Sequence, residues 1–191
     1  MTRRFPVEFS VSAGGCIFGA LALLLLPLKL LIAACAAAAI HELSHILALR
    51  LFRVPVLRMT LGSGGAVIET APLLPWQELI CAAAGPAGSL LCLLAARCFP
   101  LLALCGCIQG LYNLLPIFPM DGGRILRSFC RWCFPAHADV LCRVTGGCTI
   151  AAVLLACIFL VIRTLDSFFL LFAAYFLLRT LLGRKIPCKD G

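Results

Sequence analysis

Charge is what this sequence has least of. Only 13% of its 191 residues are charged, against a hydrophobic share of 63% and a mean hydropathy of +1.09. Ordinary soluble domains carry about a quarter charged residues and about half apolar ones. A separate soluble domain is therefore excluded, and nearly all of the chain is expected to lie in a bilayer as a polytopic, all-α membrane protein. Acidic residues number eight and histidines three, so the groups able to bind a metal or move a proton can be weighed one at a time. A signal-peptide cleavage site is also missing. Ala-rich sequence runs on from the first apolar stretch without a break, and the stretch is expected to stay in the protein. No internal repeat of the transporter type is visible. Cys130-Arg131-Trp132-Cys133 has no second pair at zinc-finger spacing. Most of the thirteen cysteines, such as Cys16, Cys35, Cys81, Cys92 and Cys157, sit in apolar runs and read as small hydrophobes.

What is present is a set of apolar runs separated by basic punctuation. Met1 to Ser10, with Arg3 and Arg4, reads as a lead-in on the cytoplasmic side. Val11 to Leu28, Leu30 to Phe52, Trp76 to Phe99, Leu101 to Phe118, Gly146 to Ile162 and Phe168 to Leu182 are six spanning candidates. Arg124, Arg127, Arg131 and Arg143 mark an inner loop. Of the sixteen basic residues only Lys29, Arg97 and Arg163 fall in outer turns, which by the positive-inside rule puts both termini in the cytoplasm. The net charge of +8 is therefore a topology signal and not the continuous basic face of a nucleic-acid binder. Leu57 to Pro75 does not fit a span. Leu61 to Glu69 contains Gly62, Gly64 and Gly65 followed by β-branched residues, which suits a Gly-rich strand or re-entrant hairpin. Backbone of that kind survives at membrane depth only where protein or a wet cavity satisfies it; a surface loop is the plain alternative.

The chemistry concentrates in Ile40-His41-Glu42-Leu43-Ser44-His45. His41 and His45 are four apart, one helical turn along the same face, and can share one Zn²⁺; Glu42 beside them can serve as general base. From Leu30 to Leu49 these three are the only acidic or basic side chains. Ionisable groups at membrane depth are expensive and persist where they do chemistry. A hydrolytic zinc site takes three protein ligands and an open position. His137, beside Pro135 and Asp139, reads as a solvated loop residue, Glu78 as a helix-start carboxylate and Asp166 as an outer-turn residue. Asp121 ends an apolar helix on the same side as His41 and His45, in Tyr112-Asn113-Leu114-Leu115-Pro116-Ile117-Phe118-Pro119-Met120-Asp121-Gly122-Gly123-Arg124. Pro116 and Pro119 unwind that helix, Asn113 can hydrogen-bond the unwound chain or a substrate, and Gly122 and Gly123 permit a sharp turn. Asp121 is the preferred third ligand; a cap before the glycines is its plain alternative. Ala84-Gly85-Pro86-Ala87-Gly88-Ser89 reads first as a seam for close helix packing.

These motifs resemble those of the site-2 proteases, a family of intramembrane zinc metalloproteases. The matching pieces are His41-Glu42-x-x-His45 and Asn113-x-x-Pro116-x-x-Pro119-x-Asp121-Gly122, with the Gly-rich segment and Ala84-Gly85-Pro86 as further likenesses, over roughly residues 30 to 130. The wording is most similar to the sporulation-type branch, stage IV sporulation protein FB. The resemblance implies one Zn²⁺ on His41, His45 and Asp121, with Glu42 as base. It further implies a membrane-anchored protein substrate such as a pro-sigma or anti-sigma factor, an inhibitory membrane partner, and residence in a bacterial cytoplasmic membrane. The family often has asparagine three residues after this Gly-Pro; Ser89 stands there and receives no role. The chain is expected to be one membrane-embedded peptidase domain, with neither an inserted peptide-binding (PDZ) domain nor a C-terminal nucleotide-sensing (CBS) domain. An exposed Gly-rich strand, with Gly64 and Gly65 at its tip, could bind unwound substrate by strand addition. Two other classes compete: a membrane metal-ion transporter, which has no use for a base beside its first ligand, and a non-catalytic substrate-binding scaffold.

Overall fold

A computed structural model of the chain describes residues 8–62, 65–164 and 168–183. They fall into two compact units that divide between Asn113 and Leu114.

The first unit is a helical layer with a small sheet. It runs β1 (Glu8–Val11), α1 (Ala13–Leu25), α2 (Leu28–Leu51), β2 (Val56–Gly62), β3 (Gly65–Thr70), α3 (Pro75–Leu91) and α4 (Pro100–Asn113), with a 3-10 turn at Cys92–Ala95 after α3. Ser12 caps α1 by accepting from the Gly15 N–H at 3.1 Å. The chain leaves α2 through Arg53 in the left-handed region (φ 57°), with the Val54 N–H donating to the Leu49 carbonyl at 3.0 Å, the return that closes many helix ends. Proline at the start of α3 needs no N–H partner there, and the Gln77 side chain accepts from the Leu74 N–H at 3.1 Å.

The Gly-rich segment is a hairpin. β2 and β3 pair antiparallel, closing on Gly62 opposite Gly65, while β1 joins the other edge of β2 in parallel. Arg58 of β2 meets Glu8 of β1 at 2.7 Å, which holds the guanidinium still more firmly protonated. A small apolar cluster of Ala48, Leu49 and Cys81, with Phe52, Val54, Val56, Ile68 and Leu73 around it, fastens the hairpin to the ends of α2 and α3.

Helices α2, α3 and α4 pack on one another by removing side chains at the seams. A Cβ at Gly88 of α3 would land on the Ser44 side chain of α2, and one at Gly106 of α4 would sit 2.6 Å from the Ser89 carbonyl oxygen. Only glycine lets the backbones come that close.

The second unit holds α5 (Asp121–Cys133), α6 (Ala138–Thr164) and α7 (Phe168–Gly183), entered through a turn over residues 114–120. Gly122 and Gly123 bring the start of α5 onto that turn: an added Cβ at Gly122 would collide with the Leu114 and Leu115 carbonyls, and one at Gly123 with Ile117 and Phe118 backbone.

Three helices, not six, are long and apolar enough to cross a membrane among the described residues: Leu28–Leu51, Pro75–Ala95 and Ala138–Thr164. The expected first span is only 13 residues of helix, because Ser12 caps it late and the chain breaks before Pro27. The expected fourth span stops at Asn113 after 14 residues, ahead of Pro116 and Pro119. Two further departures concern segments expected to be irregular. Glu8–Val11, placed in a lead-in, is a strand. The arginine-marked inner loop is largely α5, whose Arg124, Arg127 and Arg131 recur at helical spacing. Residues 1–7, 184–191, Gly64 and Asp166 lie outside the described residues.

Candidate metal centre

In the first unit α2 supplies the two histidines, and α3 holds their outer nitrogens. His41 and His45 are buried, 3% and 7% exposed, and stack one turn apart as their spacing requires. Their Nε2 atoms face each other at 3.3 Å, with the rings edge to face at 82°. His45 Nδ1 lies 2.7 Å from the Cys81 carbonyl, and His41 Nδ1 lies 2.8 Å from Ser89 Oγ. A carbonyl only accepts, so His45 carries its proton on Nδ1 and turns the lone pair of Nε2 inward. That arrangement suits a divalent cation of the zinc type, which takes neutral imidazole through one nitrogen while the other is oriented from outside.

α3 reaches both rings because Gly85 has no side chain: a Cβ there would overlap the His45 ring and stand 2.9 Å from His41 Cε1. The packing seam in Ala84–Ser89 is thus also the wall of the site.

Glu42, between the two histidines in sequence, accepts from the Ala66 N–H through Oε1 at 3.3 Å. Gly65, at φ +115°, is so placed that an added Cβ would lie 3.7 Å from the same oxygen. The carboxylate therefore stands at the turn end of β3, joining the strand-like segment to the histidine pair.

In the second unit Asp121 opens α5 as a buried residue, 7% exposed, with its carboxylate 3.8 Å from an Arg124 guanidinium nitrogen. Its position in the first turn favours a carboxylate. His41 and His45 of the first unit and Asp121 of the second are all buried residues of metal-ligating type.

The remaining residues singled out by sequence are placed as follows. Asn113 is the last residue of α4, and its amide donates to the Gln109 carbonyl at 3.1 Å. Pro116 and Pro119 lie in the turn before α5, where the Phe118–Pro119 peptide is cis. Gly122 follows Asp121 in the first turn of α5. His137 is exposed between α5 and α6, and Glu78 lies in the first turn of α3. Cys130 is buried and Cys133 exposed, both as thiols. Ser89 is the residue that sequence reasoning passed over. A lone serine in a run of small residues looks like packing, and the signal that could have given it a role is its place three residues after Gly85-Pro86, where the resembling family often has asparagine.

Residues 93–156 match peptidase family M50, a zinc-dependent family. Among solved structures the chain is similar to the site-2 protease from Methanocaldococcus jannaschii, with a TM-score of 0.68 at 18% identity, over 100% of this chain and 98% of the other. No curated protein gives a significant match. The fold is thus that of a site-2 protease structure, and with the M50 segment it supports a metalloprotease.

Proposed function

We propose that the protein is an intramembrane zinc metalloendopeptidase that cuts membrane-anchored proteins within or beside a membrane segment. The observation that carries this reading is Glu42: a carboxylate between two paired histidines, bonded to the turn end of an edge strand. A metal carrier needs ligands but no base touching a strand, and a binding scaffold needs the strand but no buried histidine pair. His41, His45 and Asp121 would hold the ion. Zinc, when bound, lowers the pKa of its water and polarises the scissile carbonyl.

The chain's own residues supply the rest. Glu42 takes the proton of the attacking water and passes it to the leaving amine. Among the described residues β3 pairs only with β2, so its other edge can receive an unwound substrate segment by strand addition. A helical peptide bond hides its carbonyl in a hydrogen bond, so cleavage requires that unwinding. Gly65, Asn113, Pro116, Pro119 and Gly122 shape the surroundings, and Gly64 is given the same role.

The apolar helices and the protein family together suggest membrane association. We extend this to a multi-pass protein of a bacterial cytoplasmic membrane with both termini inside, acting as one peptidase domain. The motif wording favours the sporulation-type branch, a pro-sigma or anti-sigma factor as substrate, and an inhibitory membrane partner.

The test is Glu42→Gln in the native host, read by proteomics of newly exposed protein termini in membranes. The substitution keeps the size and the histidines and removes the base, and loss of general-base help lowers turnover by roughly 10² to 10⁴-fold. Termini that vanish in the variant establish the protease and identify its substrates. Matching profiles under growth and sporulation conditions, with zinc flux in proteoliposomes, would overturn it in favour of transport.

A further inference from the structure

Both histidines of α2 are held from behind by α3, but by different chemistry. The partner of His45 is the main-chain carbonyl of Cys81, which any residue at that position would supply. The partner of His41 is a side chain, Ser89 Oγ, at 2.8 Å, on a serine with no exposed surface. We infer that Ser89 is the positioning residue for His41: its hydroxyl accepts the Nδ1 proton and so directs the Nε2 lone pair at the metal. The inference rests on the zinc reading above and deepens it.

Three observations support this. First, an imidazole that binds a cation through Nε2 must keep its proton on Nδ1, and that N–H, buried with His41 at 3% exposure, needs an acceptor. Ser89 Oγ lies at hydrogen-bond distance, with lone pairs to offer. Second, the approach that makes the contact possible is built into three helices. The serine oxygen stands on a single carbon, so α3 must come close, and Gly88 beside it has no side chain where Ser44 of α2 sits. Behind it α4 is equally bare, since a Cβ at Gly110 would lie 3.2 Å from Ser89 Cβ and one at Gly106 2.6 Å from the Ser89 carbonyl oxygen. Glycines on both sides hold Ser89 against His41. Third, the contact crosses 48 positions of sequence and joins two helices, so it is not the helix-internal back-bond that serines ordinarily make. Ser44, by contrast, makes that local bond, to the Ile40 carbonyl at 2.8 Å.

Outer partners of metal-bound histidines typically carry about 10 to 100-fold in metal affinity or activity. The experiment uses the full chain in detergent or nanodiscs and reads zinc affinity directly by competition with a chromophoric chelator, with the visible spectrum of the cobalt-substituted protein as a second readout. Ser89→Ala removes one oxygen from a buried site and leaves the packing otherwise intact. It is expected to weaken zinc about 10 to 100-fold and to alter the cobalt spectrum. Ser89→Thr keeps the hydroxyl and is expected to restore both. Ser128→Ala makes the same chemical change at another buried serine, in α5, and should leave both unchanged. Wild-type zinc affinity in Ser89→Ala would overturn the assignment while leaving the protease reading in place. A wild-type chain that takes up no zinc would overturn both, and a Ser128→Ala loss equal to that of Ser89→Ala would reduce the effect to packing.

Discussion

Pro75–Ala95 and Ala138–Thr164 are both long and apolar enough to cross a bilayer, and the second is the more hydropathic, at 2.5 against 1.7. Yet over the 18-residue apolar stretch that qualifies each as a span, 39% of the first is buried inside the protein and only 6% of the second. The difference lies in side-chain size. α3 turns Cys81, Ala82, Gly85, Pro86, Gly88 and Ser89 inward, and each omission of bulk brings a neighbouring backbone within reach. α6 displays Leu155, Ile158, Phe159 and Ile162 outward. Hydropathy thus reports that a helix belongs in lipid. The small residues report which helix carries the site, because dispersion and close backbone approach, not water exclusion, hold helices together in an apolar solvent.

The comparison breaks most sharply at Gly85. A branched side chain there must displace the His45 ring or push α3 away from α2. Gly85→Val is expected to abolish zinc uptake and to lower proteolysis by more than about 10²-fold, the scale associated with a misplacement of about 1 Å at a reacting centre. Metal analysis of the purified variant checks it; a variant that still holds one zinc per chain would show that the seam is only packing.

Next in size is Gly65→Val. The φ of +115° is a conformation that side chains rarely adopt, at a strain of roughly 1–3 kcal/mol for a non-glycine residue. The new Cβ would stand 3.7 Å from Glu42 Oε1, in ordinary contact with the base. Cleavage of a membrane-anchored reporter should be lost while zinc stays bound, separating the hairpin's contribution from that of the metal ligands. Loss of zinc together with activity would mean that the hairpin holds up the metal site and does not present substrate.

Much of this arrangement was legible in the sequence, and where it was not the reason is physical. His41, Glu42 and His45 stand out because ionisable groups are so rare in the surrounding apolar run. Gly62 and Gly65 announced a strand-like segment because three glycines followed by β-branched residues suit a hairpin and no spanning helix. β1 was invisible because its partner, β2, is some 50 positions away: Glu8 pairs with Arg58, and four residues of strand carry no local signal of so distant a neighbour. The helix α5 was hidden by its arginines, which marked a loop by charge while their spacing marked a helix. α4 ended early because Asn113 already bonds back to Gln109 before Pro116 interrupts. Ser89 was noticed only for its place after Gly85-Pro86 and was given no role. Its role depends on which residue faces it across a helix pair, and a run of alanine, glycine and serine looks the same whether it packs on leucine or on an imidazole.

The smallest effect is expected on the other side of the comparison, at Leu155 of α6. Its side chain is 66% exposed and loses little contact when shortened, because the helix presents it away from the residues it packs on. In a soluble core the same change from leucine to alanine would remove roughly 2–5 kcal/mol. For Leu155→Ala the expected change in unfolding free energy is within about 0.5 kcal/mol, as for substitutions outside packed features, with zinc content and cleavage unaltered. Ala82→Leu supplies the mirror image: it raises the hydropathy of α3 but adds bulk to a residue with no exposed surface, and should lower stability by about 1–3 kcal/mol. Thermal or denaturant unfolding of both variants in one detergent decides the matter. If Ala82→Leu were silent and Leu155→Ala damaging, apolar content would matter more than the missing side chains, and the contrast between the two helices would have to be drawn the other way.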